Sequence, residues 1–152
     1  MILPVVYTSK IKGFTLFELM MVMAILALLI FLSLPLAINF YKTRQLDVCE
    51  NGIVQALRRA QLKAMSVEAD SAFGVYTTLN QYILFRGNSY ATPRDTTYDE
   101  VFDLPSNLSV TGLSEIVFSR LKGAPSVTGN ITLTLDSKSE IININEVGRV
   151  NY

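Results

Sequence analysis

The stretch KIKGFTLFELMMVMAILALLIFLSLPLAINF, spanning Lys10 to Phe40, governs every other inference about this chain. From Leu19 to Ile38 it is uncharged, and only Ser33 and Pro35 interrupt its apolar character. About twenty residues at ~1.5 Å rise cover the ~30 Å hydrocarbon core of a bilayer, so the spacing predicts a transmembrane helix. One carboxylate, Glu18, stands at the head of the run. An unpaired charge inside a membrane costs ~2.5 kcal/mol or more, so Glu18 requires a partner.

Three readings of the run compete. A cleaved secretory signal needs a short apolar core followed by a small-x-small site. This run is long for that, and LSLPLAIN places Leu34 where the small residue should stand. A plain membrane anchor accounts for the length but leaves Glu18 and the blunt start after Gly13 unexplained. Flanking charge does not set the orientation, because Lys10 and Lys12 on one side face Lys42 and Arg44 on the other.

The third reading comes from KGFTLFEL, Lys12 to Leu19, which closely resembles the class III signal of type IV pilins and pseudopilins. That signal joins a basic leader ending in Gly to an aromatic residue, then Thr-Leu-x-Glu-Leu, then the apolar helix. The resemblance implies cleavage between Gly13 and Phe14 by a membrane aspartyl prepilin peptidase on the cytoplasmic side. It also implies N-methylation of Phe14 and retention of the helix in the mature protein. Glu18 fits this scheme physically. Cleavage creates an α-amino group four residues before it, and residues i and i+4 are neighbours on a helix. A carboxylate in the first turn is also favoured by the helix dipole. The family implies a further partner, the N-terminal amine of an adjacent subunit, which makes Glu18 an assembly residue. Pro35 lacks an N–H and is expected to kink or loosen the helix; many pilins carry a proline at the corresponding point.

Beyond Pro35 the helical pattern turns amphipathic. Cys49, Ile53, Ala56, Leu57, Ala60 and Ala64 keep i, i+3/i+4, i+7 spacing. Lys42, Arg44, Asp47, Glu50, Arg58, Arg59 and Lys63 are expected to form the polar surface. The pattern predicts a helix from about Leu16 to near Glu68–Asp70, with Gly52 a mild weak point. Arg58, Arg59 and Lys63 read as a solvated face, since three charges without interleaved aromatics are a poor nucleic-acid patch.

From Ala72 onward the period becomes two. FGVYTTLNQYILF (Phe73 to Phe85) predicts two strands joined by a tight turn at Leu79–Asn80. EIVFSR, NITLTL and EIININ predict further short strands at 115–120, 130–135 and 140–145, with GAPSVTGN and DSKS as turns. Ile131, Leu133 and Leu135 share one face, so the sheet is expected to be antiparallel and half-buried under the helix. Asn88 to Asn107 reads as one long connection. Its Asp95, Asp99, Glu100 and Asp103 lack regular calcium-ligand spacing and a turn glycine, so a solvated loop is expected and no metal is assigned.

The expectation is therefore an α+β, pilin-like fold: a long N-terminal helix packed on a C-terminal antiparallel sheet domain. Residues 1–13 would be the prepilin leader, 14–40 the transmembrane and filament-core half of the helix, and 41–152 the globular domain. The closing NEVGRVNY, Asn145 to Tyr152, behind an all-β domain resembles the H-type minor pseudopilins of type II secretion and the FimT-like minor pilins. Some FimT-like pilins bind DNA through a C-terminal Gly-Arg-x-Arg. Gly148 and Arg149 match that motif, while Asn151 stands at the second arginine, so Arg149 alone is a candidate DNA contact.

Composition narrows the function classes. The chain has no His, which removes His-based triads and His-ligated metal sites, and its lone Cys49 cannot form an intrachain disulfide. Net charge is zero, and loss of Lys10 and Lys12 with the leader would leave about −2, which provides no global attraction for nucleic acid. The expected role is that of a structural subunit, without cofactor or enzymatic activity. Its expected partners are the prepilin peptidase, other pilin or pseudopilin subunits and the cytoplasmic membrane. The globular domain would lie on the extracytoplasmic side. DNA capture for natural transformation stays as the alternative.

Overall fold

The computed structural model describes residues 13–91 and 94–152, without the side chains of residues 33–36. Apart from Gly13, the expected leader lies outside the described residues. The chain divides into two compact units, residues 1–40 and 41–152.

A single α-helix, α1, runs Leu16–Met65 and contributes to both units. Leu, Met and Ala dominate its first half and are strong helix formers. Within residues 1–40, the side chains from Phe14 to Leu32 are exposed, the large apolar ones from 45 % at Val22 to 82 % at Phe14. The helix is long and apolar enough to cross a membrane. Apolar surface of this extent needs lipid or protein around it. Pro35 falls inside the range of α1, and its side chain lies outside the described residues, so the expected kink stays an expectation.

Residues 41–152 combine the last part of α1 with two antiparallel sheets rather than the one expected. The strands are β1 Phe73–Thr77, β2 Gln81–Arg86, β3 Glu100–Asp103, β4 Leu108–Gly112, β5 Glu115–Phe118, β6 Gly129–Leu135, β7 Lys138–Ile144 and β8 Val150–Asn151. The first sheet has the order β3-β2-β1-β5 and the second β4-β6-β7-β8. The predicted β1–β2 hairpin is present, with Thr77 opposite Tyr82 and Thr78 N–H bonded to the Gln81 carbonyl.

One core joins the helix to both sheets. Ile53, Leu57, Ala60 and Ala64 on α1 are fully buried, as their spacing predicts, and Cys49 and Ala56 nearly so. They meet Phe73, Leu84 and Phe118 of the first sheet and Ile131, Leu133, Leu135 and Ile142 of the second. The continuous apolar character of YILF in β2 has a separate cause. Ile83, Phe85 and Val117 point to the other face of the first sheet, where Tyr90 covers them, stacked on Tyr76 at 4.2 Å. Arg94 lies 3.7 Å from the Tyr90 ring centroid and pairs with Asp99 at 2.6 Å, which pins this cover in place.

Three expectations are corrected. First, α1 stops at Met65, before Glu68–Asp70, which is a 3₁₀ turn. Val67 takes a left-handed conformation (φ 59°), the Ser66 hydroxyl donates to the Lys63 carbonyl, and Leu121 N–H reaches the Ala64 carbonyl at 3.1 Å. These donors satisfy the Lys63 and Ala64 carbonyls of the last turn, although no glycine signals the stop. Second, residues 88–107 are not one connection. They contain a 3₁₀ turn at Thr96–Tyr98 and the edge strand β3. Phe102 of β3 stacks on Tyr82 at 4.9 Å, while Val101 is exposed, so the short alternation is half hidden by polar neighbours. Three of the four acidic side chains there are engaged: Asp99 by Arg94, Glu100 by Arg59 at 2.7 Å, and Asp95 by the Thr97 N–H. Third, Glu50 is not on the polar surface. Only 8 % of it is exposed.

Burial, then the Glu140 and Asp47 carboxylates, push the Glu50 carboxyl above its usual range. A carboxyl raised in the folded state destabilises the fold as pH rises above ~4.3, the unfolded value, because the folded state then holds more protons. Glu50→Gln is therefore expected to leave the melting temperature unchanged near pH 4 and to raise it at pH 7. Thermal unfolding of both proteins across that range checks the sign; an equal shift at both pH values would contradict it.

Candidate functional site

Two places carry chemistry that the core does not use. The first is the start of α1. Thr15 immediately precedes the helix, and its Oγ1 accepts the Glu18 N–H at 3.2 Å. The Leu19 N–H closes the first helical bond on the Thr15 carbonyl at 3.1 Å. Thr15 is thus the N-cap and Glu18 the third helical residue, the spacing of a capping box. Thr15-Leu16-Phe17-Glu18 carries this Thr-x-x-Glu signal in the sequence itself, directly ahead of the apolar run.

This cap changes the expected geometry. Because α1 begins at Leu16, Phe14 stands outside the helical repeat that an i, i+4 contact with Glu18 supposes. Gly13, Phe14 and Glu18 are all exposed, and a Cβ on Gly13 would meet nothing within 4 Å. Residues 13–15 are exposed and non-helical, ahead of a capped helix, so the Gly13–Phe14 bond is accessible. Such a segment can enter a protease cleft, where helical backbone cannot.

The second place is a groove of about 860 Å³ in the globular unit, between α1 and the C-terminal strand. Arg58 and Leu62 of α1 line one wall, and Val147, Arg149 and Tyr152 the other. The Arg58 guanidinium lies 5.3 Å from the Tyr152 ring centroid, a cation–π distance. Gln61 Nε2 ties the walls together by donating to the Gly123 and Val147 carbonyls. Gly148 has φ +79°, and a Cβ there would come within 2.4 Å of Gln61 Nε2, so this turn requires glycine. Asn145 Oδ1 accepts the N–H groups of Val147 and Arg149 and fixes the turn from inside.

The structure sorts the basic residues of the helix. Arg59 and Lys63 both reach Glu100, and Lys63 also pairs with Glu68, so these two are not simply solvated. Arg58 instead joins Arg149 in the groove, a juxtaposition across about ninety positions of sequence that no local pattern signals. No ion pair among the described residues involves Arg58 or Arg149.

A family model described as the prokaryotic N-terminal methylation motif matches residues 8–34. The match contains Gly13, Phe14 and Glu18 and most of the apolar run, and it does not extend into the sheets. No curated protein and no solved structure matches the chain.

Proposed function

We propose that the chain is a type IV pilin-like protein, a minor pilin or pseudopilin cut between Gly13 and Phe14, N-methylated on Phe14 and built by its helix into a filament. The single observation that carries this reading is the methylation motif at the head of an uncovered apolar helix. The motif implies processing by a prepilin peptidase, and the helix fits an anchor in the cytoplasmic membrane. A subunit stored in lipid and then moved into a helical bundle exchanges one apolar surrounding for another. The exposed side chains from Phe14 to Leu32 suit both states.

Glu18 supplies register. Its carboxylate, exposed at a capped helix start, meets the new amine of a neighbouring subunit only when the helices slide to matching depth. The globular unit is placed on the extracytoplasmic side, facing outward from the filament. The minor role and a type II secretion setting rest on the resemblance of the sheet domain and of its C-terminal NEVGRVNY to the H-type and FimT-like groups. The test is recovery of the chain in filaments sheared from cells that express it with their assembly machinery; its absence from that fraction would contradict the reading.

The alternative, DNA capture, gains one observation, since Arg58 and Arg149 line the same groove while the tail motif lacks its second arginine. Two cations neutralise few phosphates, however, and nucleic-acid affinity grows with the number neutralised.

A further inference from the structure

We propose that the groove beside β8 receives an extended, acidic segment of another protein, added as a strand to the second sheet. This goes beyond the filament role and does not depend on it.

The backbone supports strand addition. β8 is the edge of its sheet and pairs only with β7, with Val150 opposite Ile144 and Asn151 opposite Asn143. The Asn145 N–H bonds to the Arg149 carbonyl at 3.2 Å, which makes 145 and 149 a hydrogen-bonded pair. Bonded and non-bonded pairs alternate in an antiparallel ladder, so Val150 opposite Ile144 is non-bonded. Its N–H and C=O consequently point away from β7, toward the open side. An edge with free backbone groups is a template for a further strand. At the far edge of this sheet β4 likewise pairs on one side only, with β6.

The side chains define the occupant. Leu62 is 66 % exposed and Val147 78 %, which offers apolar contact to alternate residues of an incoming strand. Arg58 and Arg149 carry charge that no carboxylate of the described residues answers, and Lys122 stands next to Gly123, whose carbonyl is tied to the groove through Gln61. Glu146 is the acidic residue on the 145–150 turn, so the cations outnumber it. Charge complementarity therefore selects a partner with carboxylates. A nucleic acid would use the arginines and Tyr152 but has no use for the backbone edge or the aliphatic walls, and these favour a polypeptide.

The experiment uses the full chain in detergent micelles and a fluorescein-labelled octapeptide of alternating Glu and Val. A Lys–Val octapeptide and a single-stranded deoxythymidine dodecamer serve as comparisons. The Glu–Val peptide is expected to bind, to lose at least ~10-fold in affinity in the Arg58→Glu, Arg149→Glu double variant, and to slow exchange of the Val150 amide. Both arginines are exposed, and an unchanged thermal transition confirms that the variant is folded. No binding of the Glu–Val peptide at low salt would overturn the proposal. So would binding indifferent to the two substitutions, tighter binding of the oligonucleotide, or a Val150 amide that exchanges equally fast with and without peptide. Occupation of the groove by a second copy, seen as self-association abolished by the same substitutions, would also overturn it.

Discussion

Glu18→Ala is expected to be processed like the parent chain and to lose at least ~10-fold of its incorporation into filaments. Removing one partner of a buried, hydrogen-bonded charge pair costs ~3–5 kcal/mol, because the remaining charge is left uncompensated. Here the remaining charge would be the N-terminal amine of a neighbouring subunit. Glu18 also occupies the third helical position behind the Thr15 cap, and that role is separable. Gln serves as well as Glu in a capping box but carries no charge. Glu18→Gln should therefore assemble as poorly as Glu18→Ala. Normal incorporation of the Gln variant would assign Glu18 to helix capping and contradict the pairing argument. The comparison is made by immunoblot of sheared filaments against total protein.

The second large effect is on stability. Leu57 is fully buried between α1 and the sheets, within the core that joins all three layers. Leu57→Ala is expected to destabilise the globular unit by ~2–5 kcal/mol, through lost transfer energy and the cavity left behind. That is a large share of the ~5–15 kcal/mol by which domains are stable. Leu62, five residues on, is 66 % exposed, so Leu62→Ala should shift stability by no more than ~0.5 kcal/mol. Urea unfolding followed by tyrosine fluorescence, in a chain without Trp, distinguishes the two. Equal losses at both positions would mean that the helix face is assigned wrongly.

These two residues also show what the sequence could tell. Leu57 belongs to a stripe whose helical spacing is visible by inspection, and the stripe is buried as read. Ile131, Leu133 and Leu135 were equally legible because a strand buried on one face must alternate. The number of sheets was not legible, because strand order depends on pairings remote in sequence. Nor was β3, whose four residues carry one exposed Val and two acids. Glu50 differs in kind: three residues before Ile53 and seven before Leu57 its helical position lies on the buried stripe, and only its charge marks it as solvent-facing, yet it is 8 % exposed. The N-terminal motif was fully legible, since its information lies in contiguous residues. The groove was half legible. Gly148 and Arg149 stand in the tail, whereas Arg58 reaches them only through the fold.

Processing is expected to leave Phe14 as the first residue of the mature chain, two residues ahead of the helix start at Leu16. The most direct measurement is the intact mass of the full chain extracted from membranes after co-expression with a prepilin peptidase. The predicted result is loss of residues 1–13 and one added methyl group on the Phe14 amine. An intact N-terminus under those conditions, or cleavage at any other bond, would contradict it.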